Sequence, residues 1–291
     1  MRNNLKTLVL MAVLGALFVA VGEWVGGTNG AIIALVIAGG LNFLVYFFSD
    51  KIALASAGAK PVEESQAPEV YAIVRSLTQR ENLPMPRIYL IPSNQPNAFA
   101  TGRSPRHAAV AVTAGILQLM DRQELEGVLA HELSHVRNRD VLIASIAATV
   151  AAALSFLVRM AFWGGLGGGR DRRQSDPFTM IVGLLSIILA PLAAMVIQLA
   201  ISRSREFEAD HSGAEMTGSP LALASALQKL EAGTSRVPLP VNPSTAQLFI
   251  ADPLKALRAR GGTGGLARLF STHPPIPERV ARLNAMAQGI R

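Results

Sequence analysis

The chain contains no cysteine. That excludes disulfides and thiolate metal sites, so any metal must be held by histidine, aspartate or glutamate. Charge is scarce as well. Charged residues make up 16% of the 291 positions, against about a quarter in an ordinary soluble domain, while hydrophobic residues make up 50% and the mean hydropathy is +0.34. Aromatics are only 5%, and the arginines behind the net charge of +7 are scattered along the chain. A nucleic-acid surface needs basic residues clustered with stacking aromatics, so that class is set aside. The basic excess fits the cytoplasmic flanks of a membrane protein instead.

What is abundant is long apolar sequence. Four runs stand out: Leu5 to Gly22, Ala31 to Phe48, Val141 to Trp163 and Phe178 to Ile201. Each is close to the ~20 residues that cross a hydrocarbon core. The first has the length of a signal peptide, but Val19-Ala20-Val21-Gly22-Glu23 is a poor cleavage site and a second run follows closely, which favours a retained helix. Gly26-Gly27-Thr28-Asn29-Gly30 makes the first two runs a tight hairpin. Arg2, Lys6, Lys51 and Lys60 fall on one side of it and its turn has no basic residue, which predicts that this side is cytoplasmic. The third and fourth runs predict a second hairpin. Its turn, however, carries Arg170, Arg172 and Arg173, partly offset by Asp171 and Asp176, which weakens the case for a full crossing and leaves it open. The expected organisation is a transmembrane hairpin over 1–50, a cytoplasmic region over 51–140, a second apolar hairpin over 141–201 and a second cytoplasmic region over 202–291.

The region 51–140 reads as mixed structure. Pro68 to Asn82 has Val70, Ile73, Val74 and Leu77 on one helical face. Arg87 to Ile91, Asn97 to Thr101 and His107 to Val112 read as short strands between Pro, Asn and Gly turns. Asp121 with Glu124 three residues on is a capping-box-like helix start. In the last region, Ser202 to Thr217 reads as a helix. Ser219 caps another to about Ala232, and a final helix begins near Pro277.

The helix that Asp121 starts carries His131-Glu132-Leu133-Ser134-His135. Residues four apart share a helical face, so the two imidazoles can converge on one zinc ion while Glu132 stands near enough to take a proton from its water. This pattern predicts a metalloprotease. A catalytic zinc needs a third protein ligand. The downstream candidates are Glu206, Glu208, Asp210, His211 and His273. His135 lies six residues before the third apolar run and Glu206 five residues after the fourth. If both helices continue across the interface, both residues lie within ~10 Å of the membrane surface and an antiparallel hairpin brings them to one height. Glu206 is therefore favoured as ligand. Asp210, four residues on, can accept a hydrogen bond from a ligand imidazole. The alternative is a solvated charged face formed by Arg203, Arg205, Glu206, Glu208 and Asp210. The charges on the motif helix keep it out of the hydrocarbon, since each would cost ~2.5–3.5 kcal/mol there. His107 has no motif partner and reads as a surface or strand histidine.

His131-Glu132-Leu133-Ser134-His135, the E-x-x-x-D of Glu206 and Asp210, Thr272-His273-Pro274-Pro275 with Arg279, and Asn97-Ala98-Phe99-Ala100-Thr101-Gly102 together resemble the HtpX heat-shock membrane proteases. More distantly they resemble the CAAX prenyl endopeptidases. The resemblance covers nearly the whole chain. It implies a mainly α fold with a small β-sheet, in a multi-pass membrane protein with a gluzincin-like zinc metalloprotease domain. It implies one Zn2+ per subunit held by His131, His135 and Glu206, with Glu132 as catalytic base, Asp210 behind the ligands, and His273 and Arg279 lining the active site. It also implies a bacterial inner-membrane endopeptidase, facing the cytoplasm, that degrades misfolded or damaged membrane proteins. By zinc chemistry, Glu132 takes the water proton and His273 donates to the oxyanion. An extended substrate is expected beside an edge strand, with Asn97, Ala98, Phe99 and Ala100 as the candidate edge. Loose specificity of this kind leaves self-cleavage open. The other classes fare worse. A non-catalytic scaffold has no need of Glu132, and a transporter pathway would call for paired intramembrane charges that the four runs lack.

Overall fold

The computed structural model describes residues 2–147, 203–239, 241, 246, 248–256 and 274–289. Most of these residues are helical. Helix α1, Arg2–Ser56, is broken at Gly26 and Gly27, where Gly27 adopts the left-handed φ of 58° that glycine tolerates without steric cost. The break folds the helix into two antiparallel arms. A Cβ on Gly22 would meet the backbone of Gly30 and the Ala34 side chain at 2.5 Å, and Asn42 donates to the Met11 carbonyl at 3.2 Å. The hairpin expected from the glycine-rich linker is therefore present. The second arm, Gly26–Ser56, is the one helix among the described residues that is long and apolar enough to cross a membrane, and Ile33, Leu35 and Val36 on it are exposed. It continues six residues past position 50.

A four-stranded mixed sheet follows, in the order β1 (Lys60–Pro61), β2 (Arg87–Ile91), β4 (Ala109–Thr113), β3 (Ala98–Thr101). β2 and β4 are parallel, and β3 pairs antiparallel with β4 as the outer strand. His107 falls outside the strand expected to start there. It sits in a short 3-10 turn, Pro105–His107, exposed at the surface. Side chains alternate across the sheet, as strand geometry requires. Ile88, Ala98, Ala100, Val110 and Val112 face the helical core, while Ile91, Phe99, Ala109 and Ala111 face Ala53, Leu54 and Ala57 at the end of α1 together with Phe249 and Leu254. The membrane arm is thus packed into the domain and not tethered to it by a linker.

The helices covering the first face are α2 (Pro68–Arg80), α4 (Arg122–Arg137), α5 (Arg203–Thr217), α6 (Pro220–Arg236) and α7 (Ile276–Ala287), with the short α3 (Ala114–Leu119) after β4. Val70, Ile73, Val74 and Leu77 are the buried residues of α2, as their spacing predicts. α4 starts on the full capping box: Asp121 Oδ1 accepts from Gln123 and Glu124 N–H at 2.9 Å, and Glu124 accepts from the Asp121 N–H. Glu124 also receives Lys229 Nζ at 2.6 Å and Ser225 Oγ at 2.7 Å, which ties the start of α4 to α6. Ser219 occupies the N-cap position of α6 without capping it; its N–H donates to Thr217 Oγ1 instead.

Two findings revise the view of helices running straight into the membrane. α4 ends at Arg137, Arg139 takes a left-handed φ of 58°, and a new helical stretch begins at residue 140. Its first residues are domain core: Val141, Ile143, Ile146 and Ala147 are at most 3% exposed, and Ser145 Oγ lies 2.6 Å from Thr101 Oγ1 on β3. The rest of the third apolar run, the Arg170–Arg173 turn and the fourth run lie outside the described residues.

α5 comes unusually close to α4. A Cβ added to Gly213 would stand 2.8 Å from the His131 nitrogen and 3.0 Å from its Cα. A methyl there forces the two helices apart by some tenths of an ångström. Gly213→Ala is expected to lower stability by about 1–3 kcal/mol through overpacking and to weaken metal retention. Thermal unfolding with and without chelator measures both. An unchanged midpoint in both conditions would show that the contact is not tight.

Candidate metal centre

Eleven of the sixteen α4 residues are buried, and they include His131, Glu132, Leu133 and Ser134. The helix is therefore wrapped by β3, α5 and α6, and its polar groups must find partners inside the protein. Ser134 Oγ donates to the His131 carbonyl at 2.7 Å. On α5 the charged residues sort by face. Arg205, Glu206 and Asp210 are buried and turn toward α4, while Arg203, Glu208 and His211 are exposed. His211 pairs with Glu215 on the outside. The charged stretch is therefore not a uniformly solvated face.

His131, His135 and Glu206 form a cluster whose donor atoms all lie within 4.8 Å of one another. His131 Nε2 is 3.9 Å and His135 Nε2 3.6 Å from the Glu206 carboxylate. This donor set of two imidazoles and one carboxylate is one that zinc accepts with a fourth position left open. The far side of each imidazole is engaged. His131 Nδ1 lies 3.0 Å from Asp210 Oδ1, and His135 Nδ1 lies 3.4 Å from Asp140 Oδ2. Each contact orients Nδ1–H toward a carboxylate and leaves Nε2 for the cluster, the arrangement that fixes a ligand tautomer.

Arg279 is among the largest fully buried side chains of the described residues. Its Nε and Nη2 donate to the two Asp210 oxygens at 2.7 and 2.6 Å, and Nη1 donates to the Ile250 carbonyl at 3.2 Å. The bidentate fork brings α7 and the 250 segment to the back of the site. His273 lies outside the described residues.

The two motif histidines sit in opposite fields. Burial dominates at His131: with Asp210 neutralised by Arg279, its pKa is pushed down to about 4. Burial acts in the same direction on His135, but the Asp140 contact and the carboxylates of Glu206 and Glu132 override it and push the pKa up to about 9. Burial would raise Asp210, and the Arg279 guanidinium more than offsets this, holding it below the usual carboxylate range. Asp140 was not singled out by sequence spacing. It reaches His135 only because the chain reverses through Arg139, and it is further placed by Arg205, whose Nη1 is 3.8 Å from Oδ1.

Glu132 accepts the Ala100 N–H at 2.8 Å, so its carboxylate reaches from the motif helix to β3. That strand is partly occupied along its outer edge. Ile250 N–H donates to the Ala98 carbonyl at 3.0 Å, and Asn97 Nδ2 donates to the Ala251 carbonyl at 2.8 Å. Phe99 points to the opposite face, with its ring 4.9 Å from that of Phe249.

These shifts fix how metal binding depends on pH. In the metal-free site His135 holds a proton below about pH 9, whereas His131 holds none above about pH 4. One proton must leave between those limits, so metal affinity is expected to rise about tenfold per pH unit there and to level off near pH 9. Asp140→Asn removes a charge that holds the proton, and the plateau is expected at lower pH. Calorimetry in buffers of different ionisation enthalpy reads the proton release; a plateau unmoved by the substitution would count against the Asp140 contact.

Comparison with known proteins identifies the family. The sequence profile of Peptidase family M48 matches residues 64–287. A "Protease HtpX homolog" from Thermodesulfovibrio yellowstonii is 54% identical over 286 residues, covering 98% of this chain and 99% of that protein. The protein of the same description from Pelotomaculum thermopropionicum is 51% identical with the same coverage, and that from Aquifex aeolicus is 51% identical over 94% of this chain and 89% of its own. Among solved structures, the crystal structure of S. mikatae Ste24p shares the fold with a TM-score of 0.53 at 18% identity, over 97% of this chain and 66% of that one. With the profile spanning α2 to α7 and half-identical relatives aligned almost end to end, the chain belongs to Peptidase family M48 and is a metallopeptidase.

Proposed function

We propose that the chain is a membrane-anchored zinc endopeptidase that cuts misfolded or damaged membrane proteins. One observation carries the reading. The Glu132 carboxylate links the His131–His135–Glu206 cluster to a backbone N–H of the sheet's outer strand, where an extended peptide can pair. His131, His135 and Glu206 hold the zinc. When bound, zinc supplies a water acidified to a pKa of ~7 and a Lewis acid for the scissile carbonyl. Glu132 accepts the water proton and passes it to the departing amine. Asp210 and Arg279 hold His131 in place, and Asp140 holds His135. His273, six residues before Arg279 in the sequence, is assigned as donor to the developing oxyanion.

The outer edge of β3 sets where substrate lies. Asn97 and Ala98 anchor the Ile250–Ala251 segment, so the peptide pairs from Ala100 onward, and binding displaces Glu132 from the Ala100 N–H. Freed from that contact, the Glu132 carboxylate would be available to act as the base. Pairing through backbone groups selects for extended or unfolded chain and reads side chains little, which suits failed membrane proteins and extends to the protease's own loose segments. The basic residues Arg2, Lys6, Lys51 and Lys60, which flank the first two apolar runs while their turn has none, support a cytoplasmic domain at a bacterial inner membrane, and the third and fourth apolar runs support a multi-pass chain.

Glu132→Gln tests the assignment. Bound zinc, measured by atomic absorption on the purified protein, is expected to stay near one per chain. Cleavage of an unfolded substrate should fall by about 10²–10⁴-fold. Unchanged cleavage would refute the role of Glu132 and favour a different catalyst.

A further inference from the structure

A cavity of about 510 Å³ lies away from the metal centre, where the membrane arm of α1 meets the sheet and the 3-10 turn. That is within the ~300–1,000 Å³ range of small-ligand sites. Its lining combines two chemistries. Phe43, Phe47 and Phe48 on the membrane arm are aromatic, and Phe43 is 59% exposed. Lys51, Arg87, Arg103 and Arg106 are cationic and come from three separate parts of the chain. Asp50 is the one carboxylate among the lining residues, and it is engaged by Arg87 at 2.6 Å. Lys51 and Arg103 lie over the rings of Phe48 and Phe47, at 5.1 and 4.8 Å from the centroids. No salt bridge to a carboxylate engages Lys51, Arg103 or Arg106 among the described residues.

The order of these groups along the arm matches the membrane. From Ala31 to Phe48 the arm is uncharged, a rise of ~27 Å, close to the thickness of a hydrocarbon core. Phe48 therefore marks the end of the apolar layer, and Asp50 and Lys51 begin the polar one. Arg87, Arg103 and Arg106 are brought to this level by the sheet packed on the end of α1. Aromatic rings beside acyl chains and cations at headgroup depth are the pattern that recruits anionic lipid. A soluble anion would gain from the cations but nothing from the three phenylalanines.

We propose that this cavity seats the phosphodiester headgroup of an anionic phospholipid, with its acyl chains along Phe43 and Phe47. The lipid clamps the sheet, and with it β3 and the metal centre, at a fixed height on the membrane. The proposal rests on the second arm of α1 crossing the bilayer.

The test uses full-length protein in detergent, titrated with phosphatidylglycerol or phosphatidylcholine and read by native mass spectrometry. The expected result is a preference for phosphatidylglycerol that the double substitution Arg103→Gln, Arg106→Gln reduces on the order of tenfold or more. Both are partly or fully exposed and carry no ion pair among the described residues, so the fold should survive their loss. Arg75→Gln with Arg122→Gln removes the same charge elsewhere and is expected to leave the preference intact. Equal binding of the two lipids by the unsubstituted protein, or equal loss in the two double variants, would overturn the site. Displacement of phosphatidylglycerol by millimolar inorganic phosphate would overturn it too, by showing a plain phosphate site. Carbonate extraction of the membranes separates the two layers of the claim. Retention in the pellet supports the spanning arm on which the proposal rests, and release of the unsubstituted protein would overturn that arm and the proposal together.

Discussion

The contact of α5 on α4 at Gly213 and His131 sets the rest of the site. Two helices that approach this closely leave no room for side chains between them at that point, so the groups on either flank are forced together. One turn before Gly213, Asp210 meets the Nδ1 side of His131; one turn earlier again, Glu206 meets the Nε2 side of both histidines. Long polar residues on a helix surface normally drift into water. Here they are held in place by burial, because an unpartnered carboxylate in the interior costs more than any geometry it could adopt with a partner. Arg279 is the partner that makes Asp210 tolerable there. A buried pair of this kind contributes little net stability against an apolar replacement, while loss of one member strands the other, at a cost of about 3–5 kcal/mol. Its worth lies in fixing position.

The same logic explains why the two motif histidines differ. His131 sits against a carboxylate already neutralised by arginine, so burial wins and the ring stays neutral. His135 faces three carboxylates, Asp140, Glu206 and Glu132, and their combined charge outweighs burial and pushes its pKa up to about 9. The site is thus built for a cation. The anchoring of the domain follows from packing as well. Because Ala53, Leu54 and Ala57 belong to the core on the outer face of the sheet, the end of the membrane arm packs directly against the sheet whose other face carries the motif helix.

Much of this was legible in the sequence. The glycine linker, the α2 face, the Asp121–Glu124 box and the two-histidine spacing are local signals, set by backbone freedom, helical period and side-chain reach, and each appears as read. Glu206 is favoured in the sequence by a height argument whose premise of straight helices fails at Arg139; its four-residue spacing to Asp210 does put both on the buried face of α5. What was not legible depends on long-range packing. Nothing local distinguishes Gly213 from a tolerated helix glycine, nor Asp140 from any charge at a helix end. The strap of Ile250–Ala251 on β3 comes from more than 150 residues away in sequence, by hydrogen bonds to Asn97. Ser219 stands at a helix start, yet its side chain caps nothing.

The central claim is that α4 and α5 together make one three-ligand metal site, and the two glutamates of α5 decide it. They are two residues apart and chemically identical, yet Glu206 is 6% exposed beside both histidines while Glu208 faces solvent. Zinc affinity by competition with a chromophoric chelator, on Glu206→Ala and Glu208→Ala side by side, is the most direct measurement. The account predicts a loss for Glu206→Ala beyond the roughly 10–100-fold that removal of an outer partner costs, and no loss for Glu208→Ala. Retained affinity in Glu206→Ala, or a loss confined to Glu208→Ala, would contradict it.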